Sequence, residues 1–217
     1  MDLTTLQART AKFAGDPDQV RYSAGYLNAI NDSQKQFVLD TNALYKNKSW
    51  DSSESAVGHY DLPTDFIIDN YVTYNGIAIT SISRNTLYQL YPAIDYLPVI
   101  GTPLVYMINT NEDFKKMTVI PYQPAESGVT IIMGYVALPA DVSAGSDVIF
   151  NSSTLMTQFH LGVAAFAAWL LLQSEAITPE IQAKMRELLK IYTDAVNVAI
   201  EKFGNTKSER VRIRPQR

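Results

Sequence analysis

The chain has 217 residues, of which 47% are hydrophobic and 18% charged, a balance that fits an ordered globular protein of one large or two small domains and excludes a disordered polypeptide. It contains no cysteine, so disulfides, thiolate metal sites and cysteine nucleophiles are excluded as well. The formal charge of −4 is uneven: in the last thirteen residues Lys207, Arg210, Arg212, Arg214 and Arg217 oppose Glu209 alone, which puts +4 there and leaves −8 on the rest. An acidic body with a basic terminal arm points to an acidic partner for the arm.

The opening MDLTTLQARTAKF has no apolar core, so no signal peptide and synthesis in a cytosol are expected. Leu3 to Phe13 reads as a short helix with Leu3, Leu6, Thr10 and Phe13 on one side, ended by Ala14-Gly15-Asp16-Pro17. A longer helix is predicted from about Ser23 to Tyr45, because Leu27, Ile30, Gln34, Phe37, Val38, Thr41 and Leu44 recur at helical spacing. Asn31, Asp32, Lys35 and Asp40 form its polar face.

From Lys46 to Ala140 the period becomes strand-like. Ser49 to Ala56 reads as a loop or weak strand, and strands are predicted over 67–74 and 77–82 around Asn75-Gly76, a dipeptide that accepts the positive φ angles of a tight hairpin turn. Ser83 to Leu90 reads as a capped helical turn or two, followed by a proline-rich loop and three more strands over 104–109, 117–122 and 129–137. These five or six strands predict a small antiparallel sheet or barrel.

The helical period returns at Ser152. Phe159 to Leu172 is apolar on every side yet shorter than the ~20 residues of a membrane span, which predicts a core helix covered all round, with Phe159, His160, Phe166, Trp169 and Leu170 as its bulky members. On that reading Trp169→Ala costs roughly 3–5 kcal/mol. A last helix is predicted from Thr178-Pro179 to Gly204, with Ile181, Met185, Leu188, Leu189, Tyr192, Val196, Ala199 and Phe203 packing on the apolar helix.

The expected class is therefore α+β: a helical bundle built from both chain ends, with a small antiparallel β domain inserted between its halves. The expected divisions are an N-terminal helical arm over 1–47, the β domain over 48–150, the C-terminal helices over 151–204 and an extended basic tail over 205–217. In the tail Val211 and Ile213 alternate with Arg210, Arg212 and Arg214, so an extended conformation separates apolar from cationic side chains, as in a segment that adds as a strand or lies in a groove.

Little in the chain suggests catalysis. His59 and His160 have no neighbours at metal-ligand spacing, and Asp61, Asp65 and Asp69 lack the glycine and distal glutamate of a calcium loop. No nucleophile elbow, phosphate loop, dinucleotide fingerprint or zinc motif occurs, so no enzyme activity, metal or cofactor is expected. Tyr71, Tyr74, Tyr88, Tyr91, Tyr96 and Tyr106 leave open a carbohydrate- or receptor-binding surface, and the basic tail leaves open nucleic-acid binding.

Four stretches carry a resemblance: YSAGYLNAINDSQKQF at 22–37, YDLPTDF at 60–66, Gly128 to Tyr135 followed by Ala137-Leu138-Pro139, and Phe159-His160 leading into an alanine-rich helix. In this order they resemble the tail adaptor, or head-to-tail connector, proteins of tailed bacteriophages over most of the chain. The resemblance implies a structural virion protein that forms a ring of roughly twelve copies between the capsid portal and the tail protein below it, with DNA passing through its centre. It further implies assembly in the bacterial cytoplasm, no membrane, and the tail residues Lys207, Arg210, Val211, Arg212, Ile213, Arg214 and Arg217 as the segment that docks on the portal.

Overall fold

A computed structural model describes residues 1–55, 58–92, 101–111, 114–121 and 129–204. It is mixed α+β, with five α-helices and one seven-stranded sheet among the described residues. The chain divides into two compact units, one formed by residues 1–44 together with the described residues from Leu138 onward, the other by Tyr45–Ala137.

In the first unit, α1 (Leu3–Ala14) starts at the Asp2 side chain, which accepts from the Thr5 amide, and stops at Gly15, whose φ of 82° lets its N–H close on the last turn. The chain then winds around Asp16. Its carboxylate accepts from the amides of Val20, Arg21 and Tyr22 and from the Tyr26 hydroxyl, and although burial alone would raise its pKa, these donors hold it below the ordinary carboxylate value.

The second helix, α2 (Tyr26–Thr41), is shorter than its pattern predicted, because Asn42 takes the left-handed conformation and its N–H returns to the Val38 carbonyl. The polar face assigned to it also needs correction: Asn31 is buried, and its side-chain amide pairs with both the N–H and the C=O of Val142. Gln34, one turn on and fully buried, donates to the Ala140 carbonyl and accepts from the Phe150 amide. Two buried amide side chains thus satisfy the backbone of a segment with no ladder of its own. Residues 138–149, expected within the β region, are therefore held by α2.

That segment ends in an unusual turn, where Phe150, Asn151 and Ser152 all have positive φ, at 58°, 53° and 61°. A 3-10 stretch, Thr154–Phe159, then leads into α4 (His160–Leu172), which packs against α1, α2 and α5 (Pro179–Gly204). The Thr154–Leu172 stretch is long and apolar enough to cross a membrane by length and composition, but 61% of it is buried among these helices. Ser33 of α2 donates to the Val163 carbonyl at 2.7 Å, fixing α2 to α4. The last helix begins as its sequence signals predict, with the Thr178 hydroxyl accepting from the Ile181 amide and Pro179 at the first position.

In the second unit the strands β1 (Tyr45–Asp51), β2 (His59–Asp61), β3 (Phe66–Tyr74), β4 (Ile77–Ser81), β5 (Val105–Asn111), β6 (Phe114–Ile120) and β7 (Thr130–Ala137) pair in the order β1-β7-β3-β4-β5-β6-β2. The expectation of an antiparallel sheet needs one correction: β4 and β5 run parallel. A parallel pair requires a crossover, and the intervening segment with α3 (Arg84–Leu90), capped by the Ser83 hydroxyl, supplies it. Asn75 and Gly76 form the predicted hairpin turn with φ of 49° and 78°. The stretch 49–56, expected to be a loop or weak strand, divides: 49–51 ends the edge strand β1, and Ser52–Glu54 form a 3-10 turn capped reciprocally by Asp51 and Glu54, while Ala56 lies outside the described residues.

Candidate docking surface

The bulky residues expected on the apolar helix divide into two sets. Phe159 and His160 are 2% and 1% exposed and sit among Phe37, Phe150 and Phe203. Phe166, Trp169 and Leu170 are half-buried, and Leu161 is 41% exposed. The helix is therefore not covered all round: its apolarity marks one buried face and one partly open face, and Trp169→Ala should cost less than full burial would imply. Phe166 stacks on Trp169 and on Tyr192 of α5, with ring centroids 5.2 and 4.4 Å apart.

His160 holds no site of its own. Its Nδ1 accepts from the Met1 amine at 2.9 Å, its Nε2 has no hydrogen-bond partner among the described residues, and burial, with the nearby ammonium, pushes its pKa down to about 4. His59 shares a hydrogen bond with Thr118, and burial followed by the charge of Lys116 lowers its pKa. The three aspartates also have separate partners: Asp61 pairs with Lys116, Asp65 with Lys46 and the Tyr135 hydroxyl, and Asp69 with the Tyr106 hydroxyl. Among the described residues no three acidic or histidine side chains converge to hold a metal ion.

The aromatic residues of the sheet are mostly spent on packing. Trp50 and Tyr60 are 5% and 3% exposed and face each other with centroids 5.8 Å apart, while Tyr74 and Tyr106 are buried. Tyr71 is more open, but its ring covers Gly134, where a Cβ would come within 2.2 Å of it, and its hydroxyl reaches Asn47.

The open surface that the sequence did not announce lies on the helical unit. Phe159, Leu161 and Gly162 form one wall of a groove of about 360 Å³, and Ile191, Ala195 and Val198 of α5 form the other. Gln158 and Asp194 are its polar side chains. The groove exists because Gly162 lets α5 approach: a Cβ there would stand 2.6 Å from the Ala195 methyl. Leu161 and Val198, at 41% and 52% exposed, remain in solvent at this seam.

Along α5 the groove face carries a charge pattern. Glu180, Glu187, Asp194 and Glu201 recur every seven residues, which keeps them on one side of the helix, and Ile191 and Val198 fall between them at four-residue steps. All four carboxylates are exposed, and Glu187, Asp194 and Glu201 make no ion pair among the described residues. Lys190 flanks the row. The cationic tail residues Lys207, Arg210, Arg212, Arg214 and Arg217, with Val211 and Ile213, lie outside the described residues.

Comparison with known families decides the class. A family model described as SU10 adaptor protein matches residues 1–212. The chain belongs to the SU10 adaptor protein family. Membership agrees with the resemblance to phage head-to-tail adaptors carried by the four sequence stretches, and it makes this chain a structural adaptor of a phage virion. No curated protein matches the chain.

Proposed function

We propose that this SU10-family adaptor forms a closed ring of roughly twelve copies at the head-to-tail junction, between the portal and the tail protein below it, with DNA passing through the centre. Assembly takes place in the host cytoplasm, and both chain ends build the helical bundle that presents the ring's contact surfaces. The observation that carries this reading is the family match, which runs from the first residue through the first two arginines of the basic segment. The charge of −8 outside that segment supports a conduit role, since a like-charged wall lets the duplex slide without adhering.

The basic tail is the portal-docking element in this proposal. Its arginines reach carboxylates of the portal as planar forks, and Val211 and Ile213 enter a groove or pair as part of a strand. Removing Thr206 to Arg217 tests the assignment: helical content should stay unchanged while binding to portal particles falls sharply. Normal decoration of portals by the shortened chain would move the docking surface to the helical unit.

A further inference from the structure

We infer that α5 carries two opposite docking surfaces, and that the outer strip Leu189–Ile200 of one copy seats in the α4–α5 groove of the next, a contact that presupposes the ring proposed above. Leu189 and Val198 are nine residues apart, as are Ile191 and Ile200. Nine residues make about two and a half turns at 3.6 residues per turn, which puts the members of each pair on opposite sides of the helix. Ile191 and Val198 line the groove beside Leu161 and Gly162. Leu189 and Ile200, 40% and 43% exposed, form the other strip with half-buried Val196. On the inner side between the strips, Leu188, Tyr192, Ala199 and Phe203 are buried. A helix that serves one core needs one stripe, and here apolar positions run on past both edges of it.

The charges select a second copy as the occupant. Going round the exposed side of α5 from Leu189 to Val198, Arg186 and Lys190 come first and the row Glu187, Asp194 and Glu201 second. All five side chains are exposed, and none makes an ion pair among the described residues. The Leu189–Ile200 strip therefore has a cationic outer rim and the groove an anionic one. Setting the strip of one copy in the groove of another joins the apolar residues and lays the two rims side by side, with opposite charge, on the same outer side of the seam. Two grooves or two strips facing each other would bring rims of like charge to one seam.

Cyclic symmetry fits the register. Roughly twelve copies are related by rotations of roughly 30°, so neighbouring α5 helices run nearly parallel and in the same direction whatever their tilt. In register, Leu189 and Ile200 stand two residues from the heights of Ile191 and Val198, about 3 Å along the axis, and Lys190 lies between Glu187 and Asp194. Each copy uses both surfaces once, which makes the contact heterologous and able to close a ring.

The chain has no cysteine, so engineered thiols report this contact alone. Full-length Val198→Cys and Ile200→Cys variants are prepared separately, mixed with portal particles from the same phage and mildly oxidised. The mixture should give disulfide-linked heterodimers and either variant alone none, because the two positions meet only across the seam. The pair Ile191→Cys and Leu189→Cys, about two turns earlier, should behave alike. Arg186→Glu/Lys190→Glu added to the Ile200→Cys chain should lower the heterodimer yield severalfold with helical content unchanged. Rings seen on the portals by electron microscopy, with no heterodimers from either pair, overturn this seam and leave the ring itself standing. Homodimers from a single variant also overturn it, since like surfaces then meet. Absence of both rings and cross-links overturns the seam together with the ring.

Discussion

The Tyr192 hydroxyl of α5 donates to Asp40 Oδ2 of α2 at 2.5 Å, across 152 residues of sequence. Tyr192 is 5% exposed, and burial together with the Asp40 carboxylate raises its pKa far above the ordinary phenol value. The same ring stacks on Phe166 and meets Phe37 edge-on, so one side chain ties α2, α4 and α5 together. Tyr192→Phe keeps the ring and removes only the hydrogen bond. A loss of about 1–2 kcal/mol is expected, at the lower end for a charged acceptor because Asp40 is exposed. Urea unfolding of the two proteins side by side measures it.

Gly162 sets the distance between α4 and α5. Gly162→Ala gains up to about 1 kcal/mol of helix propensity but forces a methyl against Ala195, an overpacking that costs about 1–3 kcal/mol. Net destabilisation is expected, and the double variant Gly162→Ala/Ala195→Gly should recover part of it. Thermal unfolding of the pair checks the clash: a double variant no more stable than Gly162→Ala alone would show that the Ala195 methyl is not what the new side chain meets.

His160 makes the helical unit sensitive to mild acid. Its folded pKa is about 4 against about 6.5 when unfolded, so between these values the unfolded chain binds a proton that the folded chain refuses. Stability from this group is full above pH 6.5 and falls as pH drops toward 4, by on the order of 3 kcal/mol. His59 shifts in the same direction, whereas Asp2, Asp16, Asp65 and Asp147 have lowered pKa values and lose their contribution only below about pH 4. Denaturant midpoints measured from pH 7 to 4.5 should therefore decline in the wild type and decline less in His160→Asn, which does not titrate.

Ser152 has a φ of 61° and is exposed. A left-handed conformation costs a residue with a Cβ about 1–2 kcal/mol, and glycine avoids most of that at the expense of greater freedom when unfolded. Ser152→Gly should raise stability by about 0.5–1 kcal/mol, read as a higher urea midpoint. Phe150 in the same turn is fully buried against Phe37 and should not tolerate the same change.

Elements with strong local signals were legible from the residues: the Asn75-Gly76 hairpin, the Thr178-Pro179 start of α5, the Gly15 stop of α1 and the capped helix after Ser83. What escaped depends on partners distant in sequence. Asn31 looks like a solvent residue until Val142 arrives from 111 positions away, and β1 exposes most of its side chains, so no alternation revealed it. The parallel pairing of β4 with β5 is set by a crossover that no local pattern encodes. The uniform apolarity of α4 hid which face was covered, because a helix without polar residues carries no stripe to read. The groove was hidden for a related reason: Gly162 and Ala195 are ordinary helix residues until the two helices meet.

The proposed closure of this adaptor into a ring on the portal can be observed by electron microscopy of the full chain mixed with portal particles from the same phage. The expected image is a coaxial ring stacked on the portal, with a central channel wide enough for a DNA duplex. Bare portal rims, with the chain still sedimenting as a monomer in the mixture, would contradict it.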